Sequence, residues 1–427
     1  MLCHNRPGSL PLITGVGYSL RMPTLTRTVR LPLLHDNHNH VSLYAALASC
    51  PDLADMDART ACSFLHGLPQ DRLTVVRGWR TNELVLSPEE LAGLPPVLLI
   101  NFSLHGFGLS DAALAFMEPA VSDIVEHRHD APWCEANVPR LFSAYCGLAG
   151  LDETKLASFM AGLKVLGIGS AEDLVVAGAQ AATLMSQSAL SSRMAYWASP
   201  ELYEALAQPE RQACRGIKLF LDGSLGARSA AIRGLWLGAG SGILAYSDAG
   251  LYEAISAAGS WDTGLAVHAI GGIAIDQALA ACERALREGA RFTTARLEHV
   301  QFIDRNQASK ARELGLTLSM QPNFSSDSRD YADRLPAAAL AANNPFRMLI
   351  DEAGFTPGKD LIFGSDGMPH GIAYPAREAL FPDYPGQRLS LEELVAGYGL
   401  SRGIEGSVWL EIDEERKTVR IAGNEAF

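Results

Sequence analysis

The sequence predicts an α/β fold: a TIM-like (β/α)8 barrel with a long insertion after its first strand and a small, reduced β-layer built from the two termini. Three observations predict it. Short runs rich in Val, Ile and Leu alternate with helical patterns along most of the chain, the order that parallel βαβ units require. These runs number eight, which is what closes such a barrel. Polar side chains able to bind a metal (His40, Lys218, His268, His299, Asp366) fall late in their runs. A barrel of this type gathers its working residues at those strand ends.

The first run, LPLLHDNHNH, places Leu31, Leu33 and Leu34 before His38 and His40. Alternate side chains of a strand point one way, so both imidazoles project from one face. Residues 41–162 break the repeat and form an insertion. It has strand-like runs of its own, LTVVRGW (73–79) and PPVLLINFS (95–103), and several helical stretches. An insertion there would overhang the site and supply substrate contacts. The repeat resumes with LKVLGIGSAEDLVVAG (163–178), SSRMAYWAS (191–199), RGIKLFLDGS (215–224) and TGLAVHAIG (263–271). It continues with TTARLEHVQF (293–302), LTLSMQPNF (316–324) and DLIFGSD (360–366). A helix is read in IAIDQALAACERALREG, where Ile275, Leu279, Cys282 and Leu286 recur at helical spacing and Gly289 ends the pattern. The barrel then spans 31–403. SVWLEIDEERKTVRIAG reads as a hairpin, Val408 to Ile412 against Val419 to Ile421, which with TRTVRL makes the β-layer of 1–30 and 404–427.

Composition narrows the function classes. A net charge of −13 argues against nucleic acid or an anionic membrane as the main partner, since both need a basic footprint. No apolar run reaches the roughly 20 residues of a membrane span. The N-terminal stretch is broken by Pro and Gly and lacks the apolar core of a secretory signal, so the cytoplasm is expected. Seven scattered cysteines without a CxxC read as free, buried thiols. The expected partner is a small-molecule substrate, and the chain is compatible with a homodimer.

Each candidate ligand has a plainer reading. An isolated HxH is more often incidental, and EHRHD (126–130) holds a second pair, His127 and His129, read as solvated surface. His4 and His35 lack supporting context. Asp366 ends an apolar strand, where a carboxylate is costly unless paired or metal-bound; its other reading is a helix cap. Lys218 sits among Ile217, Leu219 and Phe220. A buried amine loses basicity and can take up CO2 as a carbamate, whereas a nearby carboxylate such as Asp222 could instead pair with it. Imidazole and carboxylate together suit Zn2+ or another transition ion.

With His38, His40, Lys218, His268, His299 and Asp366 in that order, the chain resembles the amidohydrolase superfamily. More narrowly it is similar to amidohydrolase family 3, the group of N-substituted formamide deformylase-like enzymes. GIKLFLDGSLGARSAA, VHAIGGIAIDQALAACE, RLEHVQFID, LSMQPNFSSD and IFGSDG carry the resemblance, with RGWRTNEL, LPPVLLINFSLHG and GIGSAEDL. It extends over about 33–400. The chain departs from the family's runs at GGIA (271–274) and at SDGMPHG, which adds His370.

The resemblance implies one or two divalent ions, Zn2+ first, held by those six residues, with a carbamate on Lys218 as the bridging ligand. It makes Asp366 both ligand and general base. His105, Trp79 and Arg228 would contact substrate. The expected activity is hydrolysis of a C–N bond in an amide, formamide or cyclic amide, with His299 or a second metal polarising the oxygen that becomes anionic. Rivals are a deaminase of the same superfamily, a Schiff-base barrel using Lys218, and a non-catalytic barrel acting as a binding protein.

Overall fold

The computed structural model of the protein describes residues 26–81, 83–117, 121–234, 236–238, 240 and 242–425. His4, Cys3 and the rest of the first 25 residues lie outside the described residues.

The chain enters through β1 (Thr26–Pro32) and β2 (Leu34–Asn39), then leaves the barrel. Outside it, β3 (Thr74–Trp79), β4 (Val97–Asn101) and β5 (Phe107–Leu109) form a separate three-stranded sheet. The barrel resumes with β6 (Ile168–Asp173), β7 (Met194–Ala198), β8 (Cys214–Phe220) and β9 (Gly264–Ala269). It ends with β10 (Ala295–His299), β11 (Thr317–Met320) and β12 (Leu361–Phe363). Together β12-β11-β10-β9-β8-β7-β6-β2 make an eight-stranded parallel sheet, the sheet of a (β/α)8 barrel. The hairpin of β13 (Ser407–Asp413) and β14 (Thr418–Glu425) pairs antiparallel with β1, and its Val408, Leu410 and Ile412 join the main core.

Local chemistry explains the boundaries. Residues 163–165, read as the start of a strand, instead finish the helix Glu153–Val165, because Leu156, Met160 and Leu163 form one buried face. Gly167, at φ +91°, then turns the chain into β6. In the helix Gly272–Arg287 the residues Ile275, Ala278, Leu279 and Cys282 face the core, and Gly289 at φ +101° follows its end. Gly216 of β8 lies opposite Gly264 of β9, where a Cβ on the former would fall 2.2 Å from the latter's backbone. Gly264 in turn makes room for Trp197, whose ring a Cβ there would meet at 2.9 Å. The six described cysteines are free, with Cys50, Cys62 and Cys214 only half-buried. No described helix is long and apolar enough to cross a membrane.

The barrel closes without a regular ladder between β12 and β2. The His38 carbonyl accepts from the Asp366 amide (2.7 Å), and Asn37 Nδ2 donates to the Phe363 carbonyl (2.9 Å). Asp36 is the clasp. Its carboxylate accepts from the Ser365 amide (2.8 Å), Ser365 Oγ (2.6 Å), Asn39 Nδ2 (2.9 Å) and the His38 amide (3.2 Å). Asp36→Ala strands several buried donors, each costing about 1–3 kcal/mol. We expect a loss on the order of 3 kcal/mol or more in urea unfolding; a loss below about 1 kcal/mol would refute the clasp.

Candidate metal centre

The candidate ligands meet at one end of the barrel, each brought there by a strand terminus. His38 lies near the end of β2, and His40 follows as the N-cap residue of the helix Val41–Leu47. Lys218, His268 and His299 lie on β8, β9 and β10, and Asp366 lies three residues past β12. All are buried. One nitrogen each of His38 and His299 and one oxygen of Asp366 lie within 4.8 Å of one another. Asp366 Oδ1 is 3.0 Å from His40 Nε2 and 3.5 Å from His38 Nε2. The His268 and His299 rings are 4.4 Å apart, but His268 Nε2 is turned to the Gly223 carbonyl (3.3 Å).

Hydrogen bonds behind the rings set their tautomers. His38 Nδ1 donates to Glu298 Oε2 (2.6 Å), leaving the Nε2 lone pair to face the cluster. His299 Nδ1 donates to Gln321 Oε1 (2.8 Å), with the same consequence. Burial holds His38, His268 and His299 well below the usual imidazole range, so they are neutral, the ligating form. Burial alone would raise the Asp366 carboxyl, but the hydrogen bond from His40 and the nearby Lys218 ammonium draw it below the usual carboxylate range.

Lys218 Nζ has no hydrogen-bond partner. Asp222, the carboxylate that might have paired with it, instead accepts from the amides of Ala231 (2.9 Å), Ile270 (2.9 Å) and Gly271 (2.8 Å). Burial lowers the Lys218 ammonium to about 8 although Glu298 and Asp366 attract it. A buried His38 Nε2 and a buried Lys218 Nζ, both without partners, are what a cation-binding centre leaves when described without its ion. The donor set fits a transition metal.

His299 (φ +69°), Val300 (φ +40°) and Asp366 (φ +56°) adopt the left-handed conformation, at a cost of about 1 kcal/mol or more each. Beneath them the barrel interior is charged. Arg296 donates to Glu298 (2.5 Å), Glu172 (3.0 Å) and the Asn37 carbonyl (2.8 Å), and lies over Trp197, whose Nε1 donates to Glu172 (2.8 Å). Glu298, Arg296 and Gln321 were not singled out from sequence.

A cavity of about 1050 Å³ opens above His268, His299 and Asp366, walled by the insertion on one side and barrel loops on the other. Trp79 lines it, its Nε1 donating to the Leu84 carbonyl (2.9 Å). His105, also expected to contact substrate, is not in the lining: it stands behind, its ring 5.8 Å from that of His268, with Nδ1 donating to Glu135 (2.7 Å). Arg228, expected to contact substrate, is not in the lining: its guanidinium reaches the Leu237 carbonyl (2.5 Å) and Asp333 (3.4 Å). Arg334 is the lining arginine of that region. His127 lies away from the site, stacked on Trp133 and 3.4 Å from Asp130. His35 bonds Ser170 (2.8 Å). His370 lines the cavity with its ring against Tyr44, and burial lowers it to about 4.

The model of the amidohydrolase family, Amidohydro_3, matches residues 150–396, more than half of the chain. The chain belongs to the amidohydrolase family, in its family 3. The matched part of this amidohydrolase holds Lys218, His268, His299 and Asp366, while β2 and most of the insertion lie before it. A stretch of 139 residues, 32% of this amidohydrolase, is 33% identical to the amidohydrolase-named protein YtcJ of Bacillus subtilis (strain 168). That stretch spans 26% of YtcJ's length. Two solved structures share the fold. An uncharacterized metal-dependent hydrolase from Pyrococcus furiosus matches at TM-score 0.60 and 21% identity, over 91% of this amidohydrolase and 87% of that chain. One from Pyrococcus horikoshii OT3 matches at TM-score 0.58 and 20% identity, over 83% and 74%.

Proposed function

We propose that this amidohydrolase is a metal-dependent enzyme that hydrolyses a C–N bond of a small amide, formamide or cyclic amide, with Asp366 as general base. The observation that carries the reading is the convergence of His38, His299 and Asp366 ligand atoms within 4.8 Å, beside buried nitrogens of His38 and Lys218 that have no partner. His38, His40, His268, His299 and Asp366 would hold the ion. Zn2+ or a similar ion bound there supplies Lewis-acid chemistry that makes hydroxide available near neutral pH.

The remaining work falls to the chain's own groups. Asp366 takes the proton of the attacking water and returns it to the leaving nitrogen. Glu298 and Gln321 keep the His38 and His299 lone pairs aimed inward. The neutral amine of Lys218 attacks CO2, forming an N–C bond and losing a proton, and the carbamate adds an anionic oxygen that suits a two-metal centre. Trp79 forms a wall of the cavity through which substrate arrives.

Elemental analysis of protein purified without added metal tests this reading, beside a His38→Ala, His40→Ala variant. About one or two equivalents of a transition metal are expected in the wild type, and a large loss in the variant. A wild type that binds none after Zn2+, Mn2+ and bicarbonate are supplied would overturn the reading.

A further inference from the structure

The buried carboxylates that hold this fold together are crowded with donors. Asp36 accepts from four groups and Asp222 from three backbone amides. In the cavity lining, several other charges are already paired, Asp52 with Arg77 (2.8 Å), Asp330 with Arg329 (3.3 Å) and Arg334 with Asp333 (3.0 Å), while Asp55 is exposed to solvent.

Asp327 differs from both sets. It lines the cavity, half-buried, and accepts one hydrogen bond, from Gln301 Nε2 (2.9 Å). Gln301 is tied in turn to Asn343 (3.0 Å), which fixes the side on which that bond is made. Among the described residues no cation lies within ion-pair distance of Asp327, and Arg334, whose charge reaches it, is held by Asp333 and the Gly226 carbonyl (2.9 Å). Burial, with the neighbouring carboxylates of Asp330 and Glu378, pushes the Asp327 carboxyl up to about 7 against the pull of Gln301 and Arg334.

Its surroundings suit a cation. Phe324, Tyr331 and Tyr374 line the same cavity. The Phe324 ring stacks 6.2 Å from that of His299, so aromatic surface runs from the candidate metal centre toward the turn that bears Asp327. The Arg334 guanidinium lies 4.6 Å over one face of the Tyr331 ring, so an ammonium, amidinium or guanidinium group there would gain the carboxylate together with the Phe324 and Tyr374 rings.

We propose that Asp327 anchors a cationic group on the non-reacting part of the substrate, with Phe324, Tyr331 and Tyr374 covering the apolar atoms beside it. Calling the ligand a substrate rests on the hydrolase reading above; the subsite itself does not. The substrate class is therefore an amide or cyclic amide that carries a second, positively charged nitrogen.

The test is calorimetric titration of the full chain with benzylammonium and with its neutral isostere, benzyl alcohol, in metal-free and metal-loaded protein. The wild type is expected to prefer the ammonium by about 10-fold or more. Asp327→Asn is expected to lose most of that preference, while Asp330→Asn, whose carboxylate is already paired with Arg329, keeps it. Asp327→Ser serves as the second variant if the first does not fold. Equal affinities in the wild type, including no detectable binding of either probe, overturn the proposal, as does a preference that survives in the Asp327 variants. Neither arm depends on turnover. Absence of metal would therefore remove the hydrolase reading and leave this result standing, and absence of preference in metal-bearing protein would do the reverse.

Discussion

Asp366→Asn is expected to lower kcat by about 10²- to 10⁴-fold while leaving the barrel folded. The amide cannot take a proton, so the path from attacking water to leaving nitrogen is cut. The fold should tolerate the change because Asn accepts the left-handed backbone of this position (φ +56°) better than most residues. The amide oxygen can still accept from His40, 3.0 Å away in the wild type. Loss of the anionic ligand weakens metal affinity too, so turnover is to be measured at saturating Zn2+ with N-acyl, formamide or cyclic amide substrates, beside metal content. Metal retained with turnover lost assigns the base. Metal retained with turnover within about 10-fold of wild type would remove Asp366 from that role.

The second large effect lies below the site. Arg296→Met leaves Glu172 and Glu298 without their shared guanidinium, and breaking such a buried cluster costs about 3–5 kcal/mol. The loss should depend on pH in a definite direction. Burial would raise the Glu172 carboxyl, but Arg296, with help from His35 and Trp197, holds it at about 2 against an ordinary 4.5. A depressed carboxylate stabilises the fold above its unfolded value and loses that contribution as pH falls toward its folded one. The wild type therefore loses this contribution between about pH 4.5 and pH 2, and the variant, left with only His35 and Trp197, has less of it to lose. The gap between the two should be widest near pH 7 and narrow in acid, read by urea unfolding at pH 7, 5 and 3. A gap that widens in acid would contradict the ionic account.

The barrel strands could be read from sequence because each is buried on both faces and shows as an apolar run with a polar residue at its end. Where the alternation of side chains fails, so does the reading. Arg296 and Glu298 are two apart and share the interior face of β10, as period-two pairing requires. His299 should then point outward, yet its positive φ swings it into the same interior. Attention to His299 therefore drew attention from Glu298, the group that orients His38. A buried Arg and Glu at i and i+2 on an otherwise apolar strand was the available signal. Gln321 carried none, since its role depends on how β11 ends beside β10. The insertion was the least legible part. Whether Trp79 or His105 meets the cavity depends on how a separate sheet docks over the barrel, and only Trp79 lines it, His105 being held behind by Glu135; Arg228, on the loop after β8, turns to Leu237 and Asp333.

The bond that closes the barrel joins two residues of the candidate centre itself, the Asp366 amide to the His38 carbonyl. In chain order His38 comes early and Asp366 only after seven further barrel strands. An incomplete chain thus owns histidines but no assembled pocket for an ion. The candidate centre is assembled by the same closure that joins the last barrel strand to the first.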